Sequence, residues 1–331
     1  PPLGERFEGI PEDLDVLCRD LLALDPAARP DDAALLRRLG APRRTVTLSL
    51  PPAGDTFVGR GAELEALDDA LRASAARCVV ALIRGDSGIG RTALLNEWVQ
   101  RARRDGDDHC TVLRGRCFER ENLPFNAIDS VIDDLAAQLD AVEGLFHRRH
   151  TTRDLIALAT VFPVLRRVKD IEWMVQEDAS PAPGPRELRR RAFRGLDALL
   201  STLAERTRLI VAIDDLQWAD ADSLALLEEL THGAAAPHLL VVGTVQSGFE
   251  LGPLSSRDGR DARAIELSGL PSEDAEALAQ LAAAESGREI DAAAIAAEAQ
   301  GHPLYVQELA RAGGDAGPGL DAMLEARAAK L

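Results

Sequence analysis

The stretch "RGDSGIGRTALLNEW", residues 84–98, decides how the rest of the chain is read. It meets the phosphate-loop pattern GxxxxGK[ST] at Gly85, Gly90 and Thr92, with Arg91 in the lysine position. An apolar run, "CVVALIRG" (78–85), leads into it, and an amphipathic helical pattern, "TALLNEWVQRARR" (92–104), leads out. A loop in that place gathers backbone N–H groups and a helix N-terminus into one anion cradle. The candidate cradle is Gly85, Ser87, Gly88, Ile89, Gly90, Arg91, Thr92 and Ala93, with the Thr92 hydroxyl offered to Mg²⁺. A tight strand-to-helix turn that binds nothing has the same sequence, and the loop alone does not choose between the two.

A second stretch, "LIVAIDDLQWADADS" (209–223), favours the nucleotide reading. Apolar residues carry the chain through a sheet and deliver Asp214 and Asp215 at its carboxyl edge, where open parallel sheets bind ligands. Asp214 suits the Mg²⁺ shell, and Asp215 is placed to orient or deprotonate an attacking water. Two adjacent carboxylates at a buried strand end repel each other, which calls for a cation partner. Asp220 or Asp222 reads as a helix cap, but a cap does not account for the pair before it.

The remaining strands are "CTVLRGRC" (110–117) and "HLLVVGTV" (238–245), while residues 124–205 are mostly helical around the Pro-rich "SPAPGP" (180–185). Strands alternating with helices imply a parallel sheet covered on both faces, an α/β fold. Beyond Leu270-Pro271 the chain is helical and alanine-rich. Ahead of the α/β region, residues 12–39 hold two short helical patterns, the second capped by Asp31, followed by a Pro- and Gly-containing linker.

Composition narrows the function classes. The 331 residues allow about two domains, and their 46% hydrophobic content can fill real cores. A net charge of −17 disfavours nucleic acid and anionic lipid as partners. No apolar run reaches membrane-span length, and the opening "PPLGERFEGIPEDL" has no signal-peptide character. Cys18, Cys78, Cys110 and Cys117 form no CxxC pair, consistent with reduced thiols and a cytoplasmic setting. Nearly every cation is arginine, Lys169 and Lys330 being the exceptions, so arginine in the loop is less surprising here than in most chains. His147 and His150 share a helix face without a carboxylate or cysteine partner, and "RRRAFR" (189–194) is read as a basic face paired within the chain.

In order, "FVGRGAELEAL" (57–67), the loop at 85, "IDDLQWADADS" and "GHPLYVQEL" (301–309) resemble signal-transduction ATPases with numerous domains, the STAND class of AAA-related P-loop NTPases. "GRCFERENLPFNAIDSVIDDL" (115–135) and "ELRRRAFRGLDALL" (187–200) look like large bacterial regulators in which such a module follows a serine/threonine kinase. "LCRDLLALDPAARP" (17–30) resembles the end of a kinase C-lobe, with Arg29 matching the arginine that pairs with the activation-segment glutamate.

The resemblance implies a P-loop NTPase fold with a C-terminal helical subdomain. Its expected divisions are residues 1–40 for the kinase remnant, 41–55 for the linker, 56–250 for the ATPase core and 251–331 for a truncated helical subdomain. It also places Val58, Gly59 and Arg60 near the adenine and ribose, and Pro303 over the base. Two departures stand out: Arg91 for the loop lysine, and Gln246 in "GTVQSG" where relatives usually carry an arginine. The implied function is an ATP/ADP- and Mg²⁺-dependent switch that hydrolyses slowly and assembles with nucleotide. Kinase and sensor domains lying outside this chain are its implied partners, and the kinase's own catalytic parts are not in it. The alternative is a degenerate ATPase serving as a scaffold or interaction platform.

Overall fold

The computed structural model describes residues 12–21, 30, 57–104, 110–119, 124–140, 152–178, 180, 183–232, 236–255, 261–286 and 289–313. The chain divides into two compact units, Pro1–Pro52 and Ala53–Leu331. In the first, α1 (Glu12–Leu21) forms where Leu14, Leu17 and Leu21 recur at helical spacing, and Arg19 pairs with Asp15 one turn back at 2.9 Å. The expected second short helix with Asp31, Arg29, the linker and both His147 and His150 lie outside the described residues.

Among the described residues, the second unit is built on a five-stranded parallel sheet in the order β2-β3-β4-β1-β5. Its strands are β1 (Val79–Gly85), β2 (Cys110–Arg116), β3 (Arg208–Asp214), β4 (Leu239–Gln246) and β5 (Asp261–Glu266). β1, β3 and β4 are apolar almost end to end because both sheet faces are covered. Alternate side chains go to opposite faces. Val80, Leu82 and Ile213 join one core, and Val79, Ala81, Ile83 and Ala212 join the other.

The first core is closed by α4 (Asn126–Asp140), α5 (Thr152–Val161), α6 (Lys169–Glu177), α7 (Pro185–Ala204) and α8 (Ala221–Thr231). The other is closed by α2 (Gly61–Ala73) and α3 (Arg91–Arg104), whose Trp98 is fully buried and donates its indole N–H to Asp68 at 2.8 Å. This is the P-loop NTPase α/β fold expected from the sequence.

One feature differs from the sequence reading. β5 lies beyond the expected core boundary at residue 250, yet it pairs with β1 from Val79 opposite Asp261 to Arg84 opposite Glu266. Half its residues are charged, as suits an edge strand. Arg77 and Arg263 clamp Asp261 there and hold its carboxyl down at about 2.

The C-terminal helices α9 (Ser272–Ser286), α10 (Ala292–Glu298) and α11 (Pro303–Ala312) enclose a small core of their own, with Leu278, Ile295, Val306 and Leu309 inside. The basic stripe on α7 is satisfied within the chain, as expected: Arg189 pairs with Asp222, Arg190 and Arg191 with Glu187, and Arg194 with Asp154. Among the described residues no helix is long and apolar enough to cross a membrane. None of the four cysteines forms a disulfide, and Cys78 and Cys117 are buried.

Candidate functional site

β4 lies between β1 and β3, so the loop leaving β1 and the carboxylates ending β3 face each other across the carboxyl edge of the sheet. Thr92, in the first turn of α3, donates its hydroxyl to both oxygens of Asp214, at 3.1 and 3.0 Å, across 122 positions of sequence. Thr244 near the end of β4 donates to the same carboxylate at 2.6 Å. Asp214 is 7% exposed, and among the described residues its side chain meets two hydroxyls and no cation. A buried carboxylate so placed is costly unless a positive charge joins it. Carboxylate and hydroxyl oxygens are hard donors of the kind Mg²⁺ takes, so Asp214 and Thr92 fit that ion.

Asp215 takes up the left-handed conformation, φ 59° and ψ 44°, which short polar residues tolerate best. Its N–H donates to Thr244 Oγ1 at 2.7 Å, and Gln217 Nε2 donates to its Oδ1 at 2.9 Å. Gln217 in turn accepts the N–H of Gln246 at 3.2 Å, fixing the carboxylate to the end of β4. The cation that the paired carboxylates call for is present twice: Arg91 Nη2 lies 3.9 Å from Oδ1 and Arg116 Nη2 lies 3.8 Å from Oδ2. The Arg91 side chain is 11% exposed, and its Nη1 is buried without a hydrogen-bond partner. An orphaned guanidinium nitrogen inside a glycine loop fits an anion.

The loop is also met from the C-terminal helices. The N–H of Leu304, in the first turn of α11, donates to the Gly88 carbonyl at 3.3 Å, and His302 Nε2 donates to the Ser87 carbonyl at 3.1 Å. Gly88 has φ +79°, and a Cβ there would lie 2.9 Å from His302 Cε1 and from Leu304 Cβ. Only glycine allows both that backbone and that approach. Pro303 opens α11 beside Gly90. Val58 packs against the C-terminal helical core, and Gly59 lies against Asp274 of α9. Arg60 is buried: it donates to the carbonyls of Ile89, at 3.2 Å, and Ser268, at 2.6 Å, and pairs with Glu63. Its guanidinium therefore braces the loop from behind.

Asp220 caps α8, accepting from the N–H groups of Asp222 and Ser223. Thr244, Gln217 and Arg116 were not singled out in the sequence. Thr244 carries a signal, a polar residue inside an apolar strand; Arg116 carries one only once β2 and β3 are in register, where it stands opposite Asp214.

Residues 56–242 match the family described as AAA ATPase domain. An uncharacterized protein of Rhizobium meliloti (strain 1021) is 29% identical over 180 residues, which is 51% of this chain and 16% of that protein. Among solved structures, a STAND protein with a tetratricopeptide repeat sensor from Pyrococcus horikoshii is 16% identical, with a TM-score of 0.41 over 77% of this chain and 30% of that one. The Aeropyrum pernix ORC1 protein, solved in complex with DNA, is 17% identical, with a TM-score of 0.46 over 81% of this chain and 63% of that one. The chain thus spans under two thirds of each of these three proteins. With a match that takes in the loop and the paired carboxylates and covers more than half of its length, the chain belongs to the AAA ATPase domain family.

Proposed function

We propose that this chain is an ATP-binding, slowly hydrolysing switch module of a multidomain signalling protein of the STAND class. The observation that carries the reading is the contact of Thr92 with Asp214, which brings the two halves of a nucleotide site together. Loop amides from Gly85 to Ala93 would hold the phosphates, with Arg91 adding charge, and Thr92 and Asp214 would hold Mg²⁺. The metal would neutralise phosphate charge when bound. Asp215, oriented by Gln217 and Thr244, would hold the water. Val58, Gly59 and Arg60 would flank the base and ribose, with Pro303 over the base. Residues 1–40 are read as the end of a kinase C-lobe, on sequence resemblance alone. The kinase and sensor domains implied as partners, nucleotide-dependent assembly and a cytoplasmic setting belong to the same proposal.

The second reading, a degenerate module that serves as a scaffold, is favoured by Arg91 and by the neutral Gln246. A guanidinium is wider and flatter than an ammonium and prefers bidentate contacts, so Arg91 does not simply replace lysine between terminal phosphate oxygens. Arg91→Lys is expected to strengthen ATP binding selectively, by roughly 1–3 kcal/mol if one charge-assisted contact is recovered. Calorimetry with ATP and ADP on both proteins checks this. Unchanged ATP affinity would mean that arginine already does the work of lysine, and loss of all binding in both would favour the scaffold.

A further inference from the structure

Five strands end at the carboxyl edge of the sheet, on Gly85, Arg116, Asp214, Gln246 and Glu266. Arg116 is the one cation among these strand-terminal residues. It stands in register with Asp214, and its Nη2 lies 3.8 Å from Asp215 Oδ2. Arg91 Nη2 lies 3.9 Å from the other oxygen of that carboxylate. Neither separation is a hydrogen bond. Asp215 is thus bracketed by two guanidiniums and locked to neither. The Arg116 side chain is 58% exposed, and its head lies 5.3 Å from the centre of the Phe118 ring. Its charge is already in water, so moving it toward another anion carries little desolvation cost.

We propose that Arg116 reads the terminal phosphate of the bound nucleotide and so sets a preference for triphosphate over diphosphate; this rests on the nucleotide-site reading above. Without nucleotide, Asp215 is the counter-ion that keeps Arg116 at the site. A terminal phosphate is a stronger anion than one carboxylate, and its oxygens match the guanidinium fork. Arg91 projects from within the loop and Arg116 from the strand beyond Asp215, so the two approach from different sides. Arg116 supplies a cation at an edge where β4 ends on neutral Gln246. No bond is made or broken in this role.

The simpler alternative is that Arg116 only balances the charge of Asp215. The two are separated by measuring ATP and ADP affinity of the unaltered chain, Arg116→Ala and Arg116→Lys, with thermal unfolding to confirm that the variants are folded. Because Arg116 is largely exposed, neither substitution removes a core contact. Arg116→Ala is expected to weaken ATP about tenfold, the scale of one lost charge-assisted phosphate contact, and to move ADP less than about twofold. Arg116→Lys should recover part of the ATP affinity. Equal changes for ATP and ADP, or no change in either, would overturn the assignment while leaving the site reading intact. Failure of the unaltered chain to bind either nucleotide would overturn both.

Discussion

Replacing Asp215 with asparagine is expected to lower ATP turnover by about a hundredfold or more, the scale of losing a positioned base, with nucleotide affinity nearly unchanged. The residue is held for such a task. Its backbone sits in a left-handed conformation that few residues accept, and Thr244 fixes its N–H while Gln217 fixes one carboxylate oxygen. Asparagine keeps the shape and tolerates the same backbone, so the fold and the phosphate cradle should survive. It cannot take a proton from water, and it no longer attracts Arg91 and Arg116. Steady-state turnover together with binding of ATP separates the two effects. Turnover equal to that of the unaltered chain, in a preparation shown to hydrolyse ATP, would remove Asp215 from the chemistry.

Trp98→Ala is expected to destabilise the second unit by about 3–5 kcal/mol, through lost burial and the cavity left behind. Trp98 is fully buried between α3 and the sheet, and its indole N–H ties α3 to Asp68 of α2. The same helix begins at Arg91 and Thr92, so its seating on the sheet sets where the loop meets Asp214. Urea unfolding of the two proteins measures the difference. A loss under about 1 kcal/mol, the range of ordinary substitutions, would mean that α3 is held by other contacts.

Much of this architecture was legible in the residue pattern. β1, β3 and β4 are apolar because both faces are covered, and such runs announce themselves. The loop declares itself by glycine spacing, and the paired carboxylates by their place at the end of an apolar strand. β5 was not legible because an edge strand needs few apolar residues, and "DARAIE" has charges at half its positions. The bracketing of Asp215 was hidden for a different reason. Arg91 and Arg116 belong to separate elements, and only strand register brings them to one carboxylate. Likewise, nothing local in "GHPL" tells that His302 and Leu304 bond to the loop carbonyls of Ser87 and Gly88. Nothing local in the sequence tells that Arg60 is buried, where three oxygens accept its guanidinium.

The loop from Gly85 to Ala93, with Thr92 and Asp214, is proposed to be a working nucleotide site. Calorimetric titration of the unaltered chain with ATP, with and without Mg²⁺, tests it most directly. Saturable binding of one nucleotide per chain is expected, tightened by Mg²⁺ and weakened by Asp214→Asn only when Mg²⁺ is present. Absence of binding at millimolar ATP by a chain shown to be folded would contradict it, and would leave a glycine-rich turn in a scaffold.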